Sequence, residues 1–451
     1  MDISLLHNKN VSVLGAGRSG VAAAKLLRSY GAVVYVSDAG AAEKLQSSMI
    51  ELQASGIEFE TGKHSDRVYD CELLVISPGV SSLAPVVVEA QKRRIKVVSE
   101  LEVGSWFCRA PIVAITGSNG KTTTSTLTGR ILNDATKKHI VAGNIGTAFS
   151  SLVLELAETD VAVLEVSSFQ LDHIEKFRPR ISVLLNITAD HMDRYNHSME
   201  YYAASKARIF QNQHSDDILI CNGDDEWTKR MTAQAPCRKF PFSVQEKVNK
   251  GACVENRKLV TYIRGTRTEI IDIDQIFIRG KHNLYNAMAA ALAGQLLGVE
   301  PASIRTTLKT FEGVEHRLEF VREFNKVRYY NDSKATNVDS VWYALQAFKE
   351  PIVLLLGGRD KGNDYSRLTE LVQKQVKTIV AIGESASNVE EAFRGTTVIS
   401  KAATMEEAVS TARFLAQPGD IVLLSPACAS FDWFNNYEHR GQVFKELVNR
   451  F

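Results

Sequence analysis

Three groups of residues have the types and spacing for chemistry on phosphates. Gly117-Ser118-Asn119-Gly120-Lys121-Thr122-Thr123 follows the apolar run APIVAITG and opens a helical pattern. In such a loop successive backbone N–H groups cradle phosphate oxygens, the lysine offsets β/γ charge, and the threonine hydroxyl suits Mg²⁺. The loop is the short T-G-x-x-G-K-[ST] form. A strict Walker A needs glycine six residues before the lysine, and Ile115 stands there. The second group is Gly15-Ala16-Gly17-Arg18-Ser19-Gly20, after the run NVSVL, with Asp38 ending the next strand 18 residues beyond Gly20. This GxGxxG spacing fits a dinucleotide with a ribose-binding acid, another nucleotide diphosphate, or a glycine turn that packs helix on strand. The third is Glu165, closing the strand VAVLEV, where a carboxylate is either a metal ligand or a solvent-facing strand end.

Further polar residues follow other strands. Asp190-His191-Met192-Asp193-Arg194 comes after ISVLLNIT, where a lone His191 is either functional or a structural hydrogen bonder. Lys206 lies on the helix YYAASKARIF, and its pattern alone reads as a solvated helix face. Toward the C-terminus, Asn331-Asp332-Ser333-Lys334-Ala335-Thr336-Asn337, Gly357-Gly358-Arg359-Asp360-Lys361 and Ser425-Pro426-Ala427-Cys428-Ala429-Ser430 each follow a strand. Glycine, serine and charge at every strand end predict a polar site along one sheet edge.

The elements that must hold these loops are short β-branched runs alternating with helical patterns. That reads as α/β with doubly wound parallel sheets. Three blocks are expected: a Rossmann-like domain over 1–98, a central P-loop ATPase-like domain over 99–300, and a second Rossmann-like domain over 301–451. The stretch from about 235 to 280 reads as hairpins.

Composition narrows the class. The 451 residues carry 53 Lys plus Arg against 52 Asp plus Glu, a net charge of +1, so no global field favours nucleic acid or an acidic membrane face. A hydrophobic share of 45% is too high for disorder. No apolar run reaches the roughly 18 residues of a membrane span, and MDISLLHNKN has no secretion-signal pattern. The six cysteines form no CxxC pair, which predicts buried, reduced thiols and a cytoplasmic setting.

TGSNGKTT, AGNIG, LEVSSFQL, NITADHMDRY, KHNLYN, EHRLEF, NDSKATN and LLSPACASFDWFNNYEHRG stand in order along most of the chain. Together they resemble the Mur ligase family, ATP-dependent enzymes that build the peptide of bacterial peptidoglycan. NDSKATN, SPACAS and the compact N-terminal block resemble the member that adds D-glutamate to UDP-N-acetylmuramoyl-L-alanine. The alternatives are a sister ligase with another amino acid and, from GAGRSG alone, an NAD(P)-dependent oxidoreductase.

The resemblance implies roles residue by residue. Arg18, Ser19 and Gly20 would contact UDP, Asp38 and Gly79 the uridine side, and Asn144 the muramoyl group. Gly117 to Thr123 would bind ATP phosphates, with Asn283 and Asn286 at adenine. Two Mg²⁺ ions are implied, one held by Thr122 and Glu165, the other by His191 and a carbamylated Lys206. Arg317, Asp332 and Lys334 match nucleotide contacts. Thr336, Lys361, Ser430 and Tyr437 match D-glutamate contacts, although the family more often has Phe at the last. Lys121, His191, Lys206 and Lys334 would carry the chemistry. The implied partners are small molecules only, and the implied state is a monomer.

Overall fold

A computed structural model describes residues 6–144, 146–360 and 362–451. Its contacts divide the chain into two compact units, 1–275 with 285–308, and 276–284 with 309–451.

The first unit holds two sheets. In the first, β1 (Asn10–Leu14), β2 (Val33–Asp38), β3 (Glu58–Thr61), β4 (Leu73–Ile76) and β5 (Lys96–Ser99) lie in the order 3-2-1-4-5, all parallel. The order reverses between β1 and β4. The glycine loop and the Ser77-Pro78-Gly79 turn follow those two strands, at the crevice where such sheets bind ligands.

The second sheet has nine strands among the described residues. They are β6 (Ile112–Thr116), β7 (His139–Gly143), β8 (Val161–Glu165), β9 (Ile181–Leu184), β10 (Ile218–Asn222), β11 (Arg238–Ser243), β12 (Gly251–Glu255), β13 (Lys258–Ile263) and β14 (Thr266–Asp272). Their order is 14-13-12-11-10-9-6-8-7. Pairing is parallel from β7 to β12 and antiparallel through β12, β13 and β14, the expected hairpins. Here β6 lies between β8 and β9, so the 117–123 loop, Glu165 and the residues after β9 emerge from neighbouring strands.

One continuous core joins both sheets, with Val13, Val36, Leu101, Phe149, Ala162 and Leu184 all buried in it. The helix Glu100–Phe107 connects them and is anchored by a carboxylate. Glu102 is fully buried and accepts from Trp106 Nε1 (2.8 Å) and from the backbone N–H groups of Glu175, Lys176 and Phe177. These four donors offset the desolvation of a buried acid.

The second unit holds β15 (Glu319–Phe324), β16 (Val327–Asn331), β17 (Ile352–Gly357), β18 (Val376–Ile382), β19 (Val398–Lys401) and β20 (Ile421–Leu424). Their order is 15-16-20-17-18-19, with only β15 antiparallel. Alternate residues of β17 enter opposite cores, Leu354 and Leu356 on one face and Val353 and Leu355 on the other. Burial on both faces explains its unbroken apolar sequence.

All six cysteines are free thiols; Cys71 and Cys108 are only partly buried. Among the described residues no helix is long and apolar enough to cross a membrane.

Candidate active site

The 117–123 loop is held in shape by side chains from elsewhere in the first unit. Asn186, just after β9, makes a reciprocal pair with Asn119: its Oδ1 accepts from Asn119 N (2.8 Å) and its Nδ2 donates to Asn119 O (3.0 Å). Ser118 Oγ donates to Thr188 O and accepts from Thr188 N. Gly120 caps the helix Lys121–Asp134 with φ +86°, and an added Cβ would lie 2.3 Å from Asn286 Oδ1. That position takes glycine for conformation and for space. Asn286 is itself buried and accepts from Thr124 Oγ1 (3.2 Å), so it braces the loop.

Lys121 Nζ donates to the carbonyls of Gly117 and Ser118, both at 2.8 Å. Lys206 Nζ donates to the same Gly117 oxygen at 2.9 Å and lies 4.6 Å from the centre of the Tyr202 ring. Lys206 is 1% exposed, so the solvated face read from its helix pattern is corrected. Tyr202 sits one turn earlier on the helix Met199–Ala207, and its hydroxyl lies 3.2 Å from Ser118 Oγ. Burial, and then the Lys121 ammonium, hold Lys206 well below the ordinary lysine value against Asp190 and Asp172.

Glu165 ends β8 with only 3% exposure, and its Oε1 has no hydrogen-bond partner. A buried carboxylate oxygen without a donor fits a cation ligand. Thr122 is buried at the start of the adjoining helix. His191 takes a left-handed conformation (φ +53°) after β9, with Nε2 3.7 Å from Asp190 Oδ2 and its ring edge-on to Phe169. The donor set is oxygen, imidazole and a buried lysine, which suits a hard divalent ion once the lysine carries a carboxylate.

In the first sheet, Arg18 is exposed at the helix start and Ser19 is half-buried. At Gly20 an added Cβ would overlap Gly15 O at 1.8 Å. Gly79 is exposed, with open space where a Cβ would stand. Asp38 Oδ2 accepts from Ala16 N and Oδ1 from Gly40 N, each at 2.6 Å. Its carboxylate therefore braces the glycine loop. Asn144 follows β7, and its N–H donates to Glu165 O (2.9 Å), tying the AGNIG turn to β8.

In the second unit, Asp332 follows β16 and is buried. Its Oδ2 accepts from Ser425 Oγ (2.7 Å) and its Oδ1 from Leu318 N (3.2 Å). Burial pushes it up to about 7, against Ser425, Arg317, the Leu318 amide and Arg440. Arg317 Nε is buried without a partner. Lys334 Nζ stands 5.1 Å from the centre of the Tyr437 ring, so that aromatic keeps a cation contact. Thr336 N donates to Lys334 O, closing the NDSKATN turn, and Ser430 is buried. Lys361 lies outside the described residues. Asn283 falls in the 276–284 segment of this unit, unlike Asn286, and donates to Arg279 O (2.9 Å).

Sequence reasoning missed the residue that joins two of these loops. Arg440, 1% exposed, donates Nε to Ser333 Oγ (2.9 Å) and Nη2 to Ser333 O (2.7 Å) and Cys428 O (3.1 Å). It binds the NDSKATN and SPACAS turns through carbonyls, and burial pulls its guanidinium down to about 10. Asn186 and Tyr202 were missed as well. Only the spacing of Tyr202 four residues before Lys206 could have pointed to it.

Parallel sheets with a lysine-bearing phosphate loop and a buried carboxylate at adjacent strand ends define a phosphate-handling α/β enzyme. Comparison with known proteins resolves the class further. Residues 9–99 match the Mur ligase MurD-like N-terminal domain, 115–294 the Mur ligase middle domain, and 316–428 the Mur ligase glutamate ligase domain. The chain is 47% identical over 453 residues to the UDP-N-acetylmuramoylalanine--D-glutamate ligase of Salinibacter ruber, covering 98% of each. It is 45% identical over 460 residues to the ligase of the same name from Chloroherpeton thalassium, again covering 98% of each. Among solved structures, the UDP-N-acetylmuramate-alanine ligase MurC of Thermotoga maritima shares the fold, with a TM-score of 0.61, 19% identity, and 98% and 99% coverage. MurF of Acinetobacter baumannii does so at TM-score 0.63 and 18% identity, covering 97% of this chain and 93% of that one. The chain belongs to the Mur ligase family. As a Mur ligase it is an ATP-dependent enzyme.

Proposed function

We propose that this enzyme joins D-glutamate to UDP-N-acetylmuramoyl-L-alanine in peptidoglycan synthesis. The observation that carries the site assignment is that Lys206 and Glu165, whose Oε1 has no partner, are both buried beside the phosphate loop. The relatives' activity supports the choice of substrates. The domains run 1–98 for the UDP substrate, 99–300 for ATP and 301–451 for the amino acid.

Arg18, Ser19, Gly20, Asp38 and Gly79 hold the UDP end, with Asp38 acting through the loop amide it fixes. Asn144 contacts the muramoyl group. Gly117 to Thr123, Asn283 and Asn286 bind ATP; Arg317, Asp332 and Lys334 are nucleotide contacts by the family resemblance. Thr336, Lys361, Ser430 and Tyr437 hold D-glutamate.

Thr122 and Glu165 would hold one Mg²⁺, and His191 with carbamylated Lys206 the other. Bound there, the ions supply charge neutralisation to the phosphates. Only a neutral amine adds to carbon dioxide, so burial that eases loss of the Lys206 proton favours the carbamate.

The L-alanyl carboxylate oxygen attacks the γ-phosphorus and ADP leaves, giving an acyl phosphate. The D-glutamate amine then attacks the acyl carbon. The amine loses a proton, the C–O bond to phosphate breaks, and the amide and inorganic phosphate remain. Lys121 and Lys334 offset the gathered negative charge, the main requirement of phosphoryl transfer.

The test is phosphate release from ATP with UDP-N-acetylmuramoyl-L-alanine and, in turn, D-glutamate, L-glutamate, L-lysine and meso-diaminopimelate. Release that requires D-glutamate is expected. Release with a different amino acid instead would replace the proposal with a sister activity, and dependence on neither substrate would end it.

A further inference from the structure

An open polar cavity lies in the first unit, at the amino edge of the nine-stranded sheet. It has a volume of about 350 Å³ and is lined by Ser105, Cys108, Lys176, Arg178, Arg180 and Asp217, among others. Arg180 immediately precedes β9, and Asp217 immediately precedes β10. Ile112, the first residue of β6, also lines it. The ATP loop leaves the opposite end of β6, about 16 Å away at the usual rise per strand residue.

Three cations therefore rim one solvent-open depression with one acid; Lys176, Arg178 and Arg180 are exposed, the two arginine side chains by 43% and 48%, and only the acid is buried. Asp217 is 2% exposed and accepts from His214 N (2.8 Å), Arg178 Nε (2.7 Å) and Arg180 Nη1 (3.3 Å). Burial works against its charge, but the Arg178 bond, the His214 amide and Arg180 outweigh it and hold it below the usual carboxylate range. Asp217 thus fixes two guanidinium groups through one nitrogen each. Among the described residues the remaining terminal nitrogens of Arg178 and Arg180 make no hydrogen bond, and neither does the Lys176 ammonium. The nearby acids are committed elsewhere, Glu175 to Lys96 and Glu102 to backbone amides. The depression keeps a surplus of two positive charges, with each guanidinium tethered to Asp217 through one nitrogen.

We propose that this cavity is a binding site for a small phosphate-type oxyanion, separate from the ATP loop. Guanidinium forks match the paired oxygens of phosphate, and the tether to Asp217 lowers part of the ordering cost. The volume is at the lower end of small-molecule sites, about 300–1,000 Å³, which favours inorganic phosphate or pyrophosphate over a whole nucleotide.

The test is calorimetric titration of the full chain with pyrophosphate, while a non-hydrolysable ATP analogue saturates the P-loop. One saturable site with Kd near or below about 1 mM is expected. Lys176→Gln and the double variant Arg178→Gln/Arg180→Gln should each weaken it by about tenfold or more, the size of one lost charged hydrogen bond. Lys176 does not touch Asp217, so its variant keeps the test sound if the arginine pair proves needed for folding. Lys121→Ala, titrated without the analogue, should retain this site. ADP added as a second titrant separates a free oxyanion from a nucleotide as the source. Absence of saturable binding with the analogue bound would overturn the proposal, as would binding that Lys176→Gln leaves unchanged.

Discussion

Lys206 and Lys121 donate to one acceptor, the carbonyl oxygen of Gly117, at 2.9 and 2.8 Å. Two ammonium groups so close to one oxygen repel each other, and the one without solvent gives up its proton more readily. That one is Lys206. The arrangement eases release of the Lys206 proton, in the wall of a site that gathers anions.

Replacing Lys206 follows directly from this. Lys206→Met is expected to abolish turnover yet stabilise the unliganded protein by about 1–4 kcal/mol, as seen when buried ionisable groups give way to apolar ones. The unfolded chain holds the lysine proton up to its ordinary value near 10.5, whereas burial moves its release in the folded chain to lower pH. Wild-type stability therefore rises with pH across that interval, and the variant should lose this slope. Urea unfolding at several pH values measures it. Partial recovery of turnover by Lys206→Ala in acetate would mark the missing group as a carboxylate, and full turnover without acetate would refute the carbamate.

Asp332 gives the opposite slope. Its ordinary value of 3.8 rises to about 7 in the folded unit. Between those values the folded chain binds more protons than the unfolded one, so stability falls as pH rises and levels off above about 7. The full span is worth about 4 kcal/mol. Asp332→Asn should flatten the curve of Tm against pH over this window.

Glu102 should prove structural. Glu102→Ala strands Trp106 Nε1 and three backbone N–H groups in the core. A loss of about 3 kcal/mol or more is expected. Denaturant unfolding reads the loss, with KM values for the remaining folded enzyme changed little.

Asp38→Ala separates the two nucleotide sites. Losing the bonds to Ala16 N and Gly40 N frees the glycine loop. The KM for the UDP substrate is expected to rise roughly tenfold to hundredfold, with the KM for ATP unchanged. Steady-state kinetics with each substrate varied in turn checks this, and the reverse pattern would move the UDP site elsewhere.

The loops were legible in the sequence because each is a local signal. Glycine spacing, Lys121, Glu165 and the SPACAS turn can be read from a few consecutive residues between a strand and a helix. The core strands β6, β8, β17 and β20 were equally legible as apolar runs. The short or polar strands β3, β7, β15 and β19 were not, because exposure dilutes their pattern. Contacts across long separations were also hidden. Nothing near Asn186 announces Asn119, 67 residues away, and nothing near Arg440 announces Ser333. Lys206 misled for the same reason: its neighbours on the helix suggest solvent, and the element that buries it lies 89 residues earlier.

The reciprocal Asn119–Asn186 amide pair has a thermodynamic consequence. The loop's shape is held by the protein's own bonds, and Lys121 is bonded to two carbonyls. Arrival of a triphosphate exchanges those bonds for others. Calorimetric enthalpy will therefore understate the contacts a nucleotide makes here, and an inhibitor that leaves Lys121 on its carbonyls forgoes its charge without having to break anything.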